Sequence, residues 1–230
     1  MLLAADHTAV YVPGTKTNFP GIGEDDKGGL GDLGRGESLW HESSQMSPGS
    51  KVSTITWFDY NAPDTLVPQA TRGSYADEGG PTLHQFMQGQ EAAHREETGT
   101  KAHTTVMGHG YGSTVVGVAT QSGSWQDGPM ADDIIAVGSP GMQVDRAADM
   151  GLKPDHVWAM GGGGDDNIVR HGGKWVGLGD NLTVPTDEKF GENVMKSDSP
   201  DHGSFWDPES TSLENQAAVI SGRHDRVTLE

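Results

Sequence analysis

The stretch VMGHGYGSTVVG, Val106 to Gly117, decides the fold. An apolar run rich in β-branched residues, His103–Gly108, leads into it, and a helix pattern carrying Val115, Val116 and Val118 leaves it. Between them stand Gly108, Gly110 and Gly112. Their spacing is that of Gly-x-Ser-x-Gly, the sharp strand-to-helix turn that holds a serine nucleophile clear of a sheet. The tip of such a turn has φ above zero, and neighbouring backbone crowds its flanks, so both flanks must be glycine. Gly108 and Gly112 meet that demand. The tip itself is Gly110, where the nucleophile would stand.

Outward from this turn, further short apolar runs recur: His7–Gly14, Lys51–Tyr60, Asp132–Gly141, Asp155–Gly161 and the weaker Gly191–Asp198. Several are apolar on both faces, the pattern of a buried parallel sheet. Helices are expected between them over Pro81–Glu97, opening on its proline, over Tyr111–Gln121, and over Asp207–Arg223. Strand, helix, strand at this spacing argues for right-handed crossovers. The expected fold is therefore α/β, with a mostly parallel central sheet of about six strands and helices on both faces. Two stretches are read as loops. Phe19–Trp40 is rich in Gly and Asp but lacks the ordered acidic spacing of a calcium loop. His171–Gly191 is read as an excursion over the carboxyl edge of the sheet. No repeat or linker interrupts the chain, so residues 1–228 are expected to form one domain, with Leu229–Glu230 a vector scar.

Composition narrows the function. The 230 residues carry 33 acidic and 15 basic side chains, a formal net charge of −18. Such a surface disfavours nucleic acid and anionic membranes. With no cysteine, disulfides, zinc-thiolate sites and a cysteine nucleophile are excluded. The opening MLLAADHTAVYVPG has no basic region and too short an apolar run for a signal peptide or membrane span, and a soluble protein is expected. No metal ligand and no cofactor is expected; the expected partner is a small ester-like substrate or ligand. Oligomeric state is left open.

Acyl transfer on such a scaffold needs a carboxylate and a histidine, in the chain order nucleophile, acid, histidine. VWAMGGGGDDNIV places Asp165 and Asp166 past the fifth strand, and SPDHGSFWDP places His202 past the sixth. Both fall at carboxyl ends of strands, where open α/β sheets build their sites. The oxyanion donors would be the backbone N–H groups of Tyr111, after the elbow, and Thr15, after the first strand. His109 reads as a packing or hydrogen-bonding residue. Ser113 lies a turn into the helix, directed away from the tip, and Ser139 shapes a turn. Phe19, Trp175 and Phe205 are pocket-lining candidates whose simpler reading is ordinary packing.

The segments AVYVPGT, GHGYGSTVVG, DDIIAVGSPGM, DHVWAM, DDNI and DHGSFWDPESTSLEN, taken together and in order, resemble the DUF1023-type α/β-hydrolases found widely in actinobacteria. The resemblance runs from about Ala9 to Gly222. The family's elbow reads Gly-His-Ser-Tyr-Gly. The resemblance implies an α/β-hydrolase fold of serine-hydrolase ancestry, with Gly110 at the nucleophile position, Asp166 as acid, Asp165 as second choice and His202 as base. It implies no particular substrate. The chain departs from the pattern at Gly110, and again at Gly161–Gly164, four glycines that would loosen the turn holding Asp166. Three readings follow: a hydrolase disarmed by substitution, natural or made; a pocket reused for binding or non-hydrolytic chemistry; or a weak hydrolase in which His202 activates water.

Overall fold

The computed structural model describes residues 4–15, 31–63, 73–123 and 128–230. Six strands form one sheet: β1 (His7–Val12), β2 (Val52–Thr56), β3 (His103–His109), β4 (Asp133–Val137), β5 (Val157–Met160) and β6 (Asn193–Val194). Their order is β2-β1-β3-β4-β5-β6, and every pairing is parallel. Five lie within the runs expected from sequence, and β3 runs one residue past its expected end at Gly108.

The helices are α1 (Asp32–Met46), α2 (Ser74–Thr98), α3 (Tyr111–Ser122), α4 (Gly164–Val176) and α5 (Thr211–Ile220). Period-two burial splits the strand side chains into two cores. Val10, Val12, Val106, Ile134 and Ala136 pack with Ala76, Leu83 and Met87 of α2 and Val115 and Val116 of α3. Ala9, Tyr11, Met107, Ile135 and Val137 pack with Leu39 of α1 and Leu213, Val219 and Ile220 of α5. All five β4 residues are buried. Both faces being covered explains why these strands lack polar alternation.

Several element boundaries differ from the sequence reading. The helix expected to open at Pro81 begins seven residues earlier, at Ser74, and carries Pro81 in its interior. Residues 32–40, read as loop, form the first part of α1, while 19–30 lie outside the described residues. α4 occupies the start of the stretch read as an excursion, as far as Val176; the rest contains short 3₁₀ turns at Asp180–Leu182 and Glu188–Phe190. Leu229, expected to be a scar, bridges Met195 antiparallel, and the Glu230 N–H donates to the Val194 carbonyl at 3.0 Å.

The topology places the site. From β1 the chain crosses to β2 on one side, then returns to β3 on the other. The crossover direction thus reverses between β1 and β3, and a crevice opens beyond their carboxyl ends. The turn after β1 and the tip at Gly110 both lie there.

α5 starts four residues later than expected because Ser210, not Asp207, is its cap. The Ser210 Oγ accepts from the Leu213 N–H at 3.1 Å. Ser210→Ala is expected to cost about 1 kcal/mol of unfolding free energy, measured as a fall in urea midpoint with unchanged m-value.

Candidate active site

β3 ends at His109, and α3 begins at Tyr111. Gly110 between them has φ 51° and ψ −124°, a conformation that L side chains enter only under strain. The turn is pinned by the Gly110 N–H donating to the Val137 carbonyl at 2.9 Å. A Cβ at Gly112 would run into the carbonyls of Val12 and Pro13, so the elbow packs directly on the turn after β1.

His202 reaches the tip from the loop after β6. A Cβ built on Gly110 lies 2.9 Å from His202 Nε2 and 3.4 Å from its Cε1. The opposite ring nitrogen, Nδ1, is 2.6 Å from Asp166 Oδ1. A carboxylate only accepts, so Nδ1 carries the proton and Nε2 turns its lone pair toward the elbow. The structure thus brings Gly110, Asp166 and His202 together from three separate loops.

Asp166 lies in the first turn of α4 and is fully buried. Its second oxygen, Oδ2, accepts from the Gly162 N–H at 2.7 Å and from Arg170 Nε at 2.9 Å. Arg170 also donates to the Gly162 carbonyl at 3.1 Å, closing a ring around the glycine run. The four glycines therefore do not leave the acid loose: one of them supplies a hydrogen bond to it. Gly138, at the end of β4 with φ 55°, lies against this pair. A Cβ there would collide with Asp166 Oδ1 and come within 2.8 Å of His202 Nδ1. Asp165, the second-choice acid, meets the His202 backbone. Its Oδ1 accepts from the His202 backbone N–H at 2.8 Å, fixing the loop that carries the imidazole.

The oxyanion candidates are also neighbours. Gly14 comes so close to the elbow that a Cβ on it would sit 3.4 Å from the Tyr111 nitrogen, and Thr15 is the next residue. Tyr60 braces this turn through its hydroxyl, which donates to the Pro13 carbonyl at 2.6 Å. Ser113 is buried and points away from the tip, its hydroxyl donating to the Gly110 carbonyl at 2.6 Å and lying 2.7 Å from Ser139 Oγ. Ser139 in turn accepts from the Gly141 N–H.

Taken together, this geometry is the strand–turn–helix elbow with its histidine and carboxylate in place. Residues 2–173 match the family described as alpha/beta hydrolase. The chain belongs to the α/β-hydrolase family. It is 28% identical, over 98% of its length, to an uncharacterized protein of Mycobacterium tuberculosis, of which the alignment covers 36%. It is 35% identical over half its length to an uncharacterized protein of Mycobacterium bovis, covering 40% of that relative. The chain thus spans little more than a third of the length of these relatives. Among solved structures it is similar to a Trichoderma reesei cutinase in complex with a phosphonate inhibitor, with a TM-score of 0.56 at 11% identity, over 96% of this chain and 77% of the cutinase. At that identity the likeness is one of fold. No helix among the described residues is long and apolar enough to cross a membrane.

Sequence reasoning missed two contributors to the candidate site. Arg170 and Gly138 carry no motif, and only the fold sets them on the acid. His109 was placed as a hydrogen-bonding residue, but its depth was not foreseen. Its Nε2–H donates to the His202 carbonyl at 2.8 Å, and its ring lies between His202, 4.4 Å away, and Trp206, 4.9 Å away. Of the pocket-lining candidates, Phe19 is outside the described residues. Trp175 is 84% exposed on α4. Phe205 is fully buried, its ring edge-on to both His109 and His202.

Burial, followed by the charge His202 would carry beside it, holds the His109 imidazole well below its ordinary value of 6.5. The unfolded chain therefore binds a proton that the folded chain refuses, in the window below 6.5. Stability from this group is complete above that pH and falls as pH drops, by at most about 1.4 kcal/mol per pH unit. His109→Gln keeps a donor for the His202 carbonyl and is expected to lose less stability than the parent between pH 7.5 and pH 5. Urea unfolding at the two pH values measures the difference.

Proposed function

We propose that this site is an acyl-transfer centre of the Ser-His-Asp type whose nucleophile position is held by Gly110. Asp166 orients His202, His202 is the general base, and the N–H groups of Tyr111 and Thr15 receive the oxyanion. The ancestral reaction is hydrolysis of an ester, thioester or amide of a small molecule. As written, the chain forms no acyl-enzyme, because glycine offers no atom to attack a carbonyl. What remains is a pocket shaped for an ester-like ligand.

The observation that carries this reading is the 2.9 Å separation between His202 Nε2 and a Cβ at position 110. A side chain at the tip could project nowhere but toward the imidazole. A small outward shift of the ring would put a serine Oγ within hydrogen-bond reach of Nε2, the relation that general-base activation needs. The surroundings agree: a buried carboxylate with its other oxygen satisfied has one free acceptor role, and the His202 ring takes it.

Gly110→Ser tests it. Hydrolysis of short p-nitrophenyl esters should rise by about 10³-fold or more over the parent, and a fluorophosphonate probe should label residue 110. The same substitution should destabilise the fold by about 1–3 kcal/mol, since a side chain is forced into the positive-φ turn. Adding His202→Ala should remove the gained activity. A folded Gly110→Ser protein with neither turnover nor labelling would refute the acyl-transfer reading and leave a ligand-binding pocket in its place.

A further inference from the structure

The amino ends of the strands, opposite the elbow, carry a second polar cluster. His7 opens β1, His103 opens β3 and Asp133 opens β4; His156 directly precedes β5, and His224 stands in the turn after α5. Asp133 is fully buried. Its Oδ1 accepts from Trp158 Nε1 at 2.8 Å and faces His156 Nδ1 at 3.1 Å. Its Oδ2 faces two ring nitrogens, His103 Nε2 at 2.8 Å and His224 Nε2 at 3.0 Å.

The second nitrogen of His103 decides what that means. Nδ1 lies 3.2 Å from the Ile220 carbonyl, which can only accept, so Nδ1 carries a proton. A neutral ring so oriented aims the Nε2 lone pair at a carboxylate lone pair. The contact needs a positive centre between the two atoms: a second ring proton is one, and a bound cation, which also draws in His224 Nε2, is the other. We propose that His103 Nε2, Asp133 Oδ2 and His224 Nε2 bind one divalent transition-metal ion of the zinc class.

The geometry fits the ion. The three ligand atoms lie within 4.8 Å of one another. Tetrahedral zinc with bonds of about 2.0–2.2 Å spaces its ligands roughly 3.3–3.5 Å apart. Each nitrogen need retreat from Oδ2 by about half an ångström, and the two nitrogens, no more than 4.8 Å apart, need settle at the same spacing from each other. Imidazole nitrogens favour zinc, nickel or cobalt over calcium or magnesium, which take oxygen. Outer partners already aim the ligands: Trp158 holds the carboxylate by its other oxygen, and the Ile220 carbonyl holds the His103 ring. The side chains of His103 and His224 are 23% and 31% exposed, so an ion can reach them from solvent. From His103 to the elbow the strand runs about 20 Å, at roughly 3.3 Å per residue. The ion would therefore tie the segment after α5 to β3 and β4 without touching the hydrolase chemistry.

Protein stripped with EDTA and then dialysed should bind one zinc ion per chain in calorimetric titration, with a thermal midpoint several degrees higher when loaded. Cobalt(II) should give the visible absorption of a four-coordinate site. His224→Ala, in an exposed turn, should weaken zinc binding by more than the roughly 10–100-fold that disturbing an outer partner costs. His171→Ala, on the surface of α4, should leave it unchanged. No saturable zinc binding and no cobalt band in the unmodified protein would overturn the proposal, as would equal zinc binding by His224→Ala. In either case Asp133 is held by hydrogen bonds from its neighbours, Trp158 included, and by no ion. Should His224→Ala fail to fold, the cobalt spectrum of the unmodified protein still decides.

Discussion

A fully buried carboxylate must be satisfied on both oxygens or the fold loses several kcal/mol. Asp166 is such a group, and much of the molecule near the elbow is arranged around it. One oxygen is fixed by a backbone N–H of the glycine run and by Arg170; the other holds the His202 ring. Because a carboxylate cannot donate, the pairing also fixes which imidazole nitrogen is bare. Because Gly138 has no side chain, β4 can end against the pair. Remove this interaction and the loop after β6 has no reason to present an imidazole to the elbow.

The sheet makes that interaction possible. Six parallel strands with both faces covered leave backbone ends available only at the two rims. Residues distant in sequence can meet at a rim only through the loops that leave it. Residues 110, 166 and 202 meet this way at the carboxyl rim, where the strand order reverses beside the elbow. The amino rim gathers His103, Asp133 and His224 by the same logic. A sandwich of alternating polar and apolar faces would offer neither gathering point.

The sheet and the constellation at its carboxyl rim were legible in the sequence because each carries a strong local signal. β-branched runs buried on both faces mark strands, and glycine at the flanks of an elbow marks backbone crowding. The order of residues 110, 166 and 202 could be read because chain order is a property of sequence. α1 was not legible: Gly34 and Gly36 interrupt its helix pattern, and Gly36 is there because Thr56 packs against it. α4 was hidden for a related reason. It starts within four glycines, and its apolar residues Ile168 and Trp175 face solvent, so its pattern points outward. Arg170 and the ring of His109 gained their places from tertiary packing, which no window of sequence reports. The amino-rim cluster was invisible for the plainest reason: its members are single residues some 30 and 90 positions apart.

β3 joins both rims. Its first residue, His103, belongs to the imidazole–carboxylate cluster, and its last, His109, supports the loop that carries His202. Its seven residues work as a gauge block. Insert or delete one between them, and at least one rim must lose its pairing with Asp133 or with the elbow, while every side chain beyond the change turns to the opposite face. The length of this strand is thus a tighter constraint than the identity of most residues within it.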